Sequence, residues 1–292
     1  MGRKQRTRWS RRKKLLFTAG IILLALLTGY CFTEPYLLRV DAHTVESAQV
    51  PDAFDGCRIV FASDLHYGPL VSGDEIKRVV DLINAQDPDI VILGGDYARR
   101  LPGEEEEIGK LLAGVHAKLG KYAIIGNHDY WAGEEAAHAG MKTAGFQLLV
   151  NEHVKVSIGG ESIYITGLDD LDEGQIDAAM ALAGIDTEDF NITAMHNPKT
   201  LDEKVIGDAD ILRMDAALAG HTHGGQVSFF GLWSPADPAQ FPLEYGNRWH
   251  LRDGLFTLTS NGTGVSAIKV RFLALPEINV ITLRTGSETV FN

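Results

Sequence analysis

Hydrophobic and polar positions change their rhythm several times along the chain. Leu15 to Phe32 (LLFTAGIILLALLTGYCF) is almost continuously apolar and about 18 residues long, near the lower limit for a helix that spans a bilayer. Thr33 to Asp55 reads as a linker with one short strand, Leu38 to Val40. From Gly56 the pattern becomes regular. Arg58 to Ser63 is a short apolar, β-rich run, and Glu75 to Gln86 has helical spacing with Ile76, Val79, Val80 and Ile83 on one face, stopped by Pro88. Asp89 to Leu93 is a second buried strand. Glu104 to Leu119 is a predicted helix whose first-turn glutamates suit its dipole, and Tyr122 to Ile125 is a third strand.

The second half repeats the habit less evenly. Glu134 to Ala144 and Ile176 to Ala183 have helical spacing. Leu148 to Asn151, Val154 to Ile158 and Ser162 to Thr166 alternate like strands, with a turn at Gly159-Gly160. Phe190 to Met195 and Ala216 to Ala219 are further strands, and Leu255 to Thr259 and Val280 to Leu283 close the series. Strand and helix alternate, and strand after strand ends in a polar cluster. An open α/β sheet presents a site in this way, at the carboxyl ends of its strands. The turn-rich loop Ser260-Asn261-Gly262-Thr263-Gly264 is placed to border such a site.

Composition adds a compartment. The 292 residues are 45% hydrophobic, enough for one large domain or two small ones. The formal net charge of -12 is uneven. Eight basic residues and no acidic one fall in Met1 to Lys14, which leaves 19 basic against 39 acidic residues in the remainder. A body that acidic binds nucleic acid poorly, so no nucleic-acid partner is expected. Two cysteines, Cys31 and Cys57, make neither a disulfide framework nor a cysteine-type zinc site. The basic flank beside the apolar run marks a membrane anchor or an export signal. No A-x-A-like site follows it, which favours an uncleaved anchor over a removed signal peptide. The positive-inside rule keeps the N-terminus in the cytoplasm and sends the rest outside. Ser10-Arg11-Arg12-Lys13-Lys14-Leu15 partly resembles a twin-arginine export signal but departs from it at Lys14 and Leu16, so secretion by that route after cleavage is the lesser reading. The expected division is a basic cytoplasmic segment over 1–14, an anchor or signal over 15–32, a linker over 33–55 and a domain over 56–292.

Five strand ends carry the candidate chemistry: Asp64 and His66, Asp96, Asn127 and His128, His196, and His221 and His223. Each has an ordinary reading alone, as a turn or cap aspartate or a loop histidine. Their recurrence at successive strand ends argues for one shared site. Asp, His and Asn together are hard-to-borderline donors, suited to Mn, Fe, Zn or Mg rather than to copper or iron–sulfur chemistry. Gly220, Gly224 and Gly225 around the His-x-His pair let backbone approach a charged group.

The blocks Asp64-Leu65-His66, Gly95-Asp96, Gly126-Asn127-His128-Asp129, His196 and Gly220-His221-Thr222-His223 stand in the order of the calcineurin-like metallophosphoesterase pattern. The sequence resembles that family from about Gly56 to the last strand. Within it the chain looks most like a membrane-associated branch ending G-H-T-H-G-G-Q. The resemblance implies a four-layer α/β/β/α sandwich and two divalent metal ions, with manganese favoured. By that resemblance Asp64, His66 and His223 bind the first ion, Asn127, His196 and His221 bind the second, and Asp96 bridges them. Such a pair, about 3.5–4 Å apart, clamps a phosphoryl group and acidifies a bridging water, whose hydroxide attacks phosphorus in line. His128 takes no metal in this scheme and serves the leaving oxygen or the charge on the phosphoryl oxygens. Asp129 either orients His128 or caps a helix.

The implied activity is hydrolysis of a phosphodiester or pyrophosphate bond in a phosphorylated small molecule or lipid. Some relatives cleave UDP-2,3-diacylglucosamine in lipid A synthesis, but the predicted outward topology suits that cytoplasmic substrate badly. A metal-binding module without turnover that recognises a phosphorylated ligand is the reading from another class. Tyr97-Ala98 replaces the Asp-Arg extension of the protein phosphatase branch, which disfavours a phosphoprotein substrate. Arg99, Arg100 and Arg271 are candidates for phosphate contact, with the solvated surface the favoured reading for each. The aromatic residues Trp131, Phe229, Phe230 and Trp233 are expected either to rim the site or to pack.

Overall fold

Odd and even positions of the central strands face different layers. Ile59, Phe61, Ile90 and Ile92 belong to one buried cluster, and Val60, Ala62, Val91 and Leu93 to another. Strands whose residues are apolar on both faces can be stable only between two covering layers. That condition fixes the architecture of this computed structural model, which describes residues 10–101, 103–202, 205–228, 249–252, 254–286 and 290–291.

The chain opens with α1 (Arg11–Thr33), then β1 (Arg39–Ser47), β2 (Arg58–Ala62), α2 (Gly73–Ala85), β3 (Ile90–Leu93), α3 (Glu104–Leu112), β4 (Gly120–Ala123), α4 (Asn127–Ala132), α5 (Glu134–Ala144) and β5 (Gln147–Leu148). It continues with β6 (Glu152–Ile158), β7 (Glu161–Gly167), α6 (Ala178–Ala181), β8 (Asn191–Met195), α7 (Asp208–Ile211), β9 (Ala216–Ala219), β10 (Trp249–Arg252), β11 (Leu255–Thr259), β12 (Glu277–Thr285) and β13 (Val290–Phe291). One sheet has the order β13-β1-β12-β2-β3-β4-β5, and the other β10-β11-β9-β8-β7-β6. The first sheet packs α2, α3 and α5 on its outer face through Ile76, Val79, Ile83, Ile108, Leu112 and Met141. Its inner face meets Ile163, Ile165, Ile192, Leu218 and Phe256 of the second sheet. Ala217, Ala219 and Met195 turn the other way, onto Ala181, Leu182, Ile206 and Met214. These are the four layers of an α/β/β/α sandwich.

Several element boundaries differ from the expectation. Within the expected linker 33–55, the short strand expected at Leu38 to Val40 is the nine-residue β1, which pairs in parallel with β12 from Arg39↔Glu277 to Ser47↔Thr285. Its alternation is hard to read because the polar residues His43 and Ser47 occupy buried positions beside Val45. The helix expected to reach Leu119 stops at Leu112, since Gly114 and the return to β4 leave no room for further turns. The helix expected over Ile176 to Ala183 is the single turn of α6, capped by the Asp177 side chain accepting from the Met180 N–H. The strand read to Asn151 ends at Leu148, because Asn151 turns the chain with a left-handed backbone, φ 54°.

Helix α1 has 23 residues, about 34 Å at 1.5 Å per residue, against a hydrocarbon core of about 30 Å. Its apolar side chains project outward, Leu15 at 70% and Leu24 at 65% exposure. With no buried residue and an apolar stretch from Leu15 to Phe32, α1 is long and apolar enough to cross a membrane.

Candidate metal centre

The candidate ligands converge where the carboxyl ends of the two sheets meet. Asp64 and His66 follow β2, Asp96 follows β3, and Asn127 and His128 begin α4 after β4. His196 follows β8, and His221 and His223 follow β9. Each strand must stop abruptly to deliver a side chain inward. Asp64, His66, Asp96, His221 and His223 accordingly have φ between 49° and 68°. Such left-handed non-glycine positions cost of order 1–3 kcal/mol each and persist where the surroundings impose them. Two glycines make the turns possible. Gly95 has φ 86°, and a Cβ there would lie 2.8 Å from the Gly126 nitrogen and 2.9 Å from His196 Nδ1. At Gly220 a Cβ would strike Ser63 Oγ and Asp64 Oδ2.

Asp96 is the centre of the arrangement. Its Oδ2 lies 3.5 Å from His66 Nε2 and 3.3 Å from His196 Nε2. On one side His66 Nε2 and His223 Nε2 are 3.0 Å apart, with Asp64 Oδ1 3.4 Å from the latter. On the other side His221 Nδ1 lies 3.2 Å from Asn127 Oδ1, and the His196 and His221 rings are 5.1 Å apart. Potential ligand atoms fall within 4.8 Å of one another in three groups: Asp64, His66, His223; His66, Asp96, His128; and Asp64, Asp96, His196. All seven residues that sequence assigned to metal therefore come together, with His128 among them.

The donor chemistry fits cations. His196 Nδ1 lies 2.7 Å from the Gly94 carbonyl, which can only accept, so that nitrogen carries the proton. In the neutral ring Nε2 then presents a lone pair toward the Asp96 carboxylate, and it has no hydrogen-bond partner among the described residues. Two buried acceptors face to face need a cation between them, a proton or a metal. Electrostatics run the same way. Burial pushes the His66 imidazole down to about 3. Burial and the Arg271 guanidinium hold His223 well below its usual range. Burial opposes a charged His196, but the Asp96 carboxylate raises it well above the imidazole range. Burial likewise opposes ionised Asp96, and the surrounding His196, His66 and His128 keep it low. Asp64 is held in place by the Ser63 hydroxyl, which donates to its Oδ2 at 2.7 Å, and by the His221 N–H.

His128 is oriented by the backbone: its Nδ1 lies 3.0 Å from the Arg99 carbonyl. Its N–H donates to Asp96 Oδ1 at 2.9 Å. Asp129 does not orient that ring. Its carboxylate accepts from the N–H groups of Asp96, Tyr97 and Gly126, each at 2.8 Å. The expectation of a part in catalysis gives way to the capping alternative, extended to a second loop, because fully buried oxygens facing three orphan N–H donors are already engaged. Burial and the Asp96 charge raise its carboxyl pKa.

The rim differs from expectation in one arginine. Arg271 is fully buried, not solvated. Its guanidinium donates to the carbonyls of Gly264, Ala274 and Asn261 at 2.6, 2.7 and 2.8 Å, and Nη2 lies 3.4 Å from His223 Nδ1. Arg100 stacks 4.2 Å over the Trp131 ring, which is 4.5 Å from His128 and donates through Nε1 to Glu173 at 2.7 Å. Trp131 thus stands at the rim, while Phe229, Phe230 and Trp233 lie outside the described residues. Sequence reasoning passed over Asp172, whose Oδ2 is 3.8 Å from His221 Nε2 and accepts from Asn197 Nδ2 at 3.1 Å. It also passed over Asp170, fully buried with Oδ2 unpartnered among the described residues. The signal was present: β7 is a further strand end, followed by Leu168-Asp169-Asp170.

Known proteins share this pattern. The model of the calcineurin-like phosphoesterase family matches residues 57–225. An uncharacterized metallophosphoesterase of Bacillus subtilis, YkuE, is 31% identical over 292 residues, 94% of this chain and 98% of its own length. An uncharacterized metallophosphoesterase of Aquifex aeolicus is 28% identical over 270 residues, 90% of this chain and 98% of its own. A transmembrane protein with a metallophosphoesterase domain from Danio rerio is 27% identical over 282 residues, 91% of this chain and 62% of the longer relative. The five motif blocks fall inside or at the edge of the matched span, on strand ends that bring them to one point, and the chain belongs to the calcineurin-like phosphoesterase family.

Proposed function

We propose that the protein is a membrane-anchored hydrolase of phosphodiester or pyrophosphate bonds that works with two divalent metal ions. The observation that carries this reading is Asp96 Oδ2 lying between His66 Nε2 and His196 Nε2 at 3.5 and 3.3 Å. One carboxylate facing two separate donor groups is the arrangement a shared ligand needs. Asp64, His66 and His223 would hold one ion, Asn127, His196 and His221 the other, and Asp96 both. When bound, such a pair supplies Lewis-acid stabilisation of a phosphoryl group and a water acidified toward neutral pH. Manganese is the favoured metal for this donor set.

The chain's own groups supply orientation and charge. The Arg99 carbonyl, which can only accept, keeps a proton on His128 Nδ1 and leaves Nε2 for the substrate; when that nitrogen is protonated too, it donates to the leaving oxygen or to a phosphoryl oxygen. Arg100 and Trp131 form a cationic and aromatic edge beside it. Asp129 holds the loops after β3 and β4 at fixed spacing. The substrate class is a phosphorylated small molecule or lipid. The apolar α1 and the relatives named as transmembrane proteins support an anchor, and the basic N-terminal flank supports a catalytic domain on the outer side.

The test is hydrolysis of bis-p-nitrophenyl phosphate by the full chain in detergent with added Mn, together with metal analysis of protein purified without chelators. Turnover with two ions per chain is expected. Two bound ions without turnover on any phosphodiester, nucleoside diphosphate lipid or monoester would instead favour a module that binds phosphorylated ligands.

A further inference from the structure

The last turn of α1 and the buried side of the metal centre are joined by one short loop. Glu34, directly after α1, is fully buried although it is a carboxylate. Its two oxygens accept from consecutive backbone N–H groups, Oε2 from Leu273 at 2.9 Å and Oε1 from Ala274 at 2.6 Å. Leu273 has φ 53°, a conformation a branched apolar residue does not take unless something holds it. The Ala274 carbonyl in turn accepts from Arg271 Nη1 at 2.7 Å. The backbone N–H of Arg271 donates to the Cys31 carbonyl in α1 at 3.0 Å. Phe272 packs edge-on against Tyr30, with centroids 6.1 Å apart. Arg271 Nη2 then reaches within 3.4 Å of His223 Nδ1, and Nη1 lies 3.4 Å from the His223 carbonyl.

The geometry points to a strut. We propose that Glu34 is a positioning residue for the metal centre, acting through the Leu273–Ala274 backbone and Arg271, whose Nη1 faces the His223 carbonyl, to hold the His223 backbone in place. The apolar helix is then more than a tether. The first charged residue past its apolar run sets the loop that backs one metal ligand, so the first ion's site is completed by the anchor. Groups that back a metal ligand are commonly worth 10–100-fold in metal affinity. A carboxylate clamping two successive N–H groups is also hard to replace with water at a fully buried position.

The inference rests on the two-ion reading, and metal binding tests it apart from activity. Full-length protein in detergent is titrated with Mn or Co(II), with calorimetry giving both affinities and Co(II) absorption reporting the ligand field. Glu34→Gln is expected to weaken one of the two ions roughly tenfold and leave the other near its wild-type affinity. Glu34→Asp should recover part of the loss, and Arg271→Met should weaken the same ion. Glu161→Gln serves as the comparator, because Glu161 also accepts a backbone N–H, that of Ala53 at 2.7 Å, and should change neither. Unchanged affinities for both ions in folded Glu34→Gln protein would overturn the strut and leave the two-ion reading standing. Loss of both ions with a lowered melting temperature of the metal-free protein would also overturn it, marking Glu34 as a general structural cap. Wild-type protein that binds no pair of ions would overturn both readings.

Discussion

Asp96 and Asn127 stand at neighbouring strand ends and differ by a charge. Asp96 faces His66 and His196 at once, whereas Asn127 approaches His221. Replacing Asp96 with Asn keeps the shape and removes the charge that both donor groups share. Asp96→Asn is therefore expected to lower both metal occupancy and phosphodiesterase rate roughly tenfold more than Asn127→Ala. Equal, small losses in the two variants would contradict a shared ligand. His128 is different again: its ring is held from the Arg99 carbonyl and sits 4.5 Å from the His66 ring. His128→Ala should keep both ions and lose about 10²–10⁴-fold in kcat. Metal analysis showing a missing ion would make His128 a ligand. At this scale the side-chain types were legible and their partners were not. Asp129 reads from sequence either as an orienting acid for His128 or as a helix cap, and its oxygens serve backbone donors on two loops. Arg271 reads as a surface cation, yet a cage of carbonyls from distant residues satisfies it in the interior. Neither cage exists until the loops are folded against each other.

Among the elements, β8 and β9 carry His196 and His221 and are pinned together at their start by Asp215. Its N–H donates to the Asn191 carbonyl at 2.9 Å, and its Oδ2 accepts from the Asn191 N–H at 2.8 Å. Burial, opposed by that N–H and helped by the charge of Asp189, raises the Asp215 carboxyl to about 7. Unfolded, it titrates near 3.9. The folded state therefore holds this proton more tightly. The resulting stability is fully present below about pH 4 and is lost as pH rises through about 7. Asp215→Asn keeps an acceptor and does not titrate. Its melting temperature should consequently fall less than that of wild type between pH 5 and 8, a difference of a few degrees visible by differential scanning calorimetry. Parallel profiles would mean that Asp215 stays ionised. Helices and central strands with unmixed apolar periodicity were readable from sequence, α2 most clearly. The elements misjudged were those whose alternation is broken by buried polar residues, as in β1, or whose ends are set by a cap or a glycine, as in α3 and α6.

For the whole molecule, the centre draws together five loops from two sheets, and several of its φ angles are strained. Ions that bind the folded chain alone should repay that strain. At 100 times Kd a ligand contributes about 2.7 kcal/mol, and a domain of this size shifts by about 2–4 °C per kcal/mol. Removing metal with a chelator is expected to lower the melting temperature by about 5–10 °C, restored on adding Mn. An unchanged transition would mean that the ligands close on one another without a cation. The loop from Asn261 to Ala274 ties this centre to the end of α1.

The sequence by itself determined the apolar N-terminal helix, the two-sided burial of the central strands and the seven donor residues at their ends, because periodicity and residue chemistry are local properties. Tertiary structure alone decided which donors share Asp96, that Asp129 and Arg271 brace the centre from within, and that residues 39–47, within the expected linker, form a nine-residue strand of the sheet. Those outcomes depend on which loops meet. Contacts such as Glu34 with Leu273, 239 positions apart, leave no mark in the spacing of either segment.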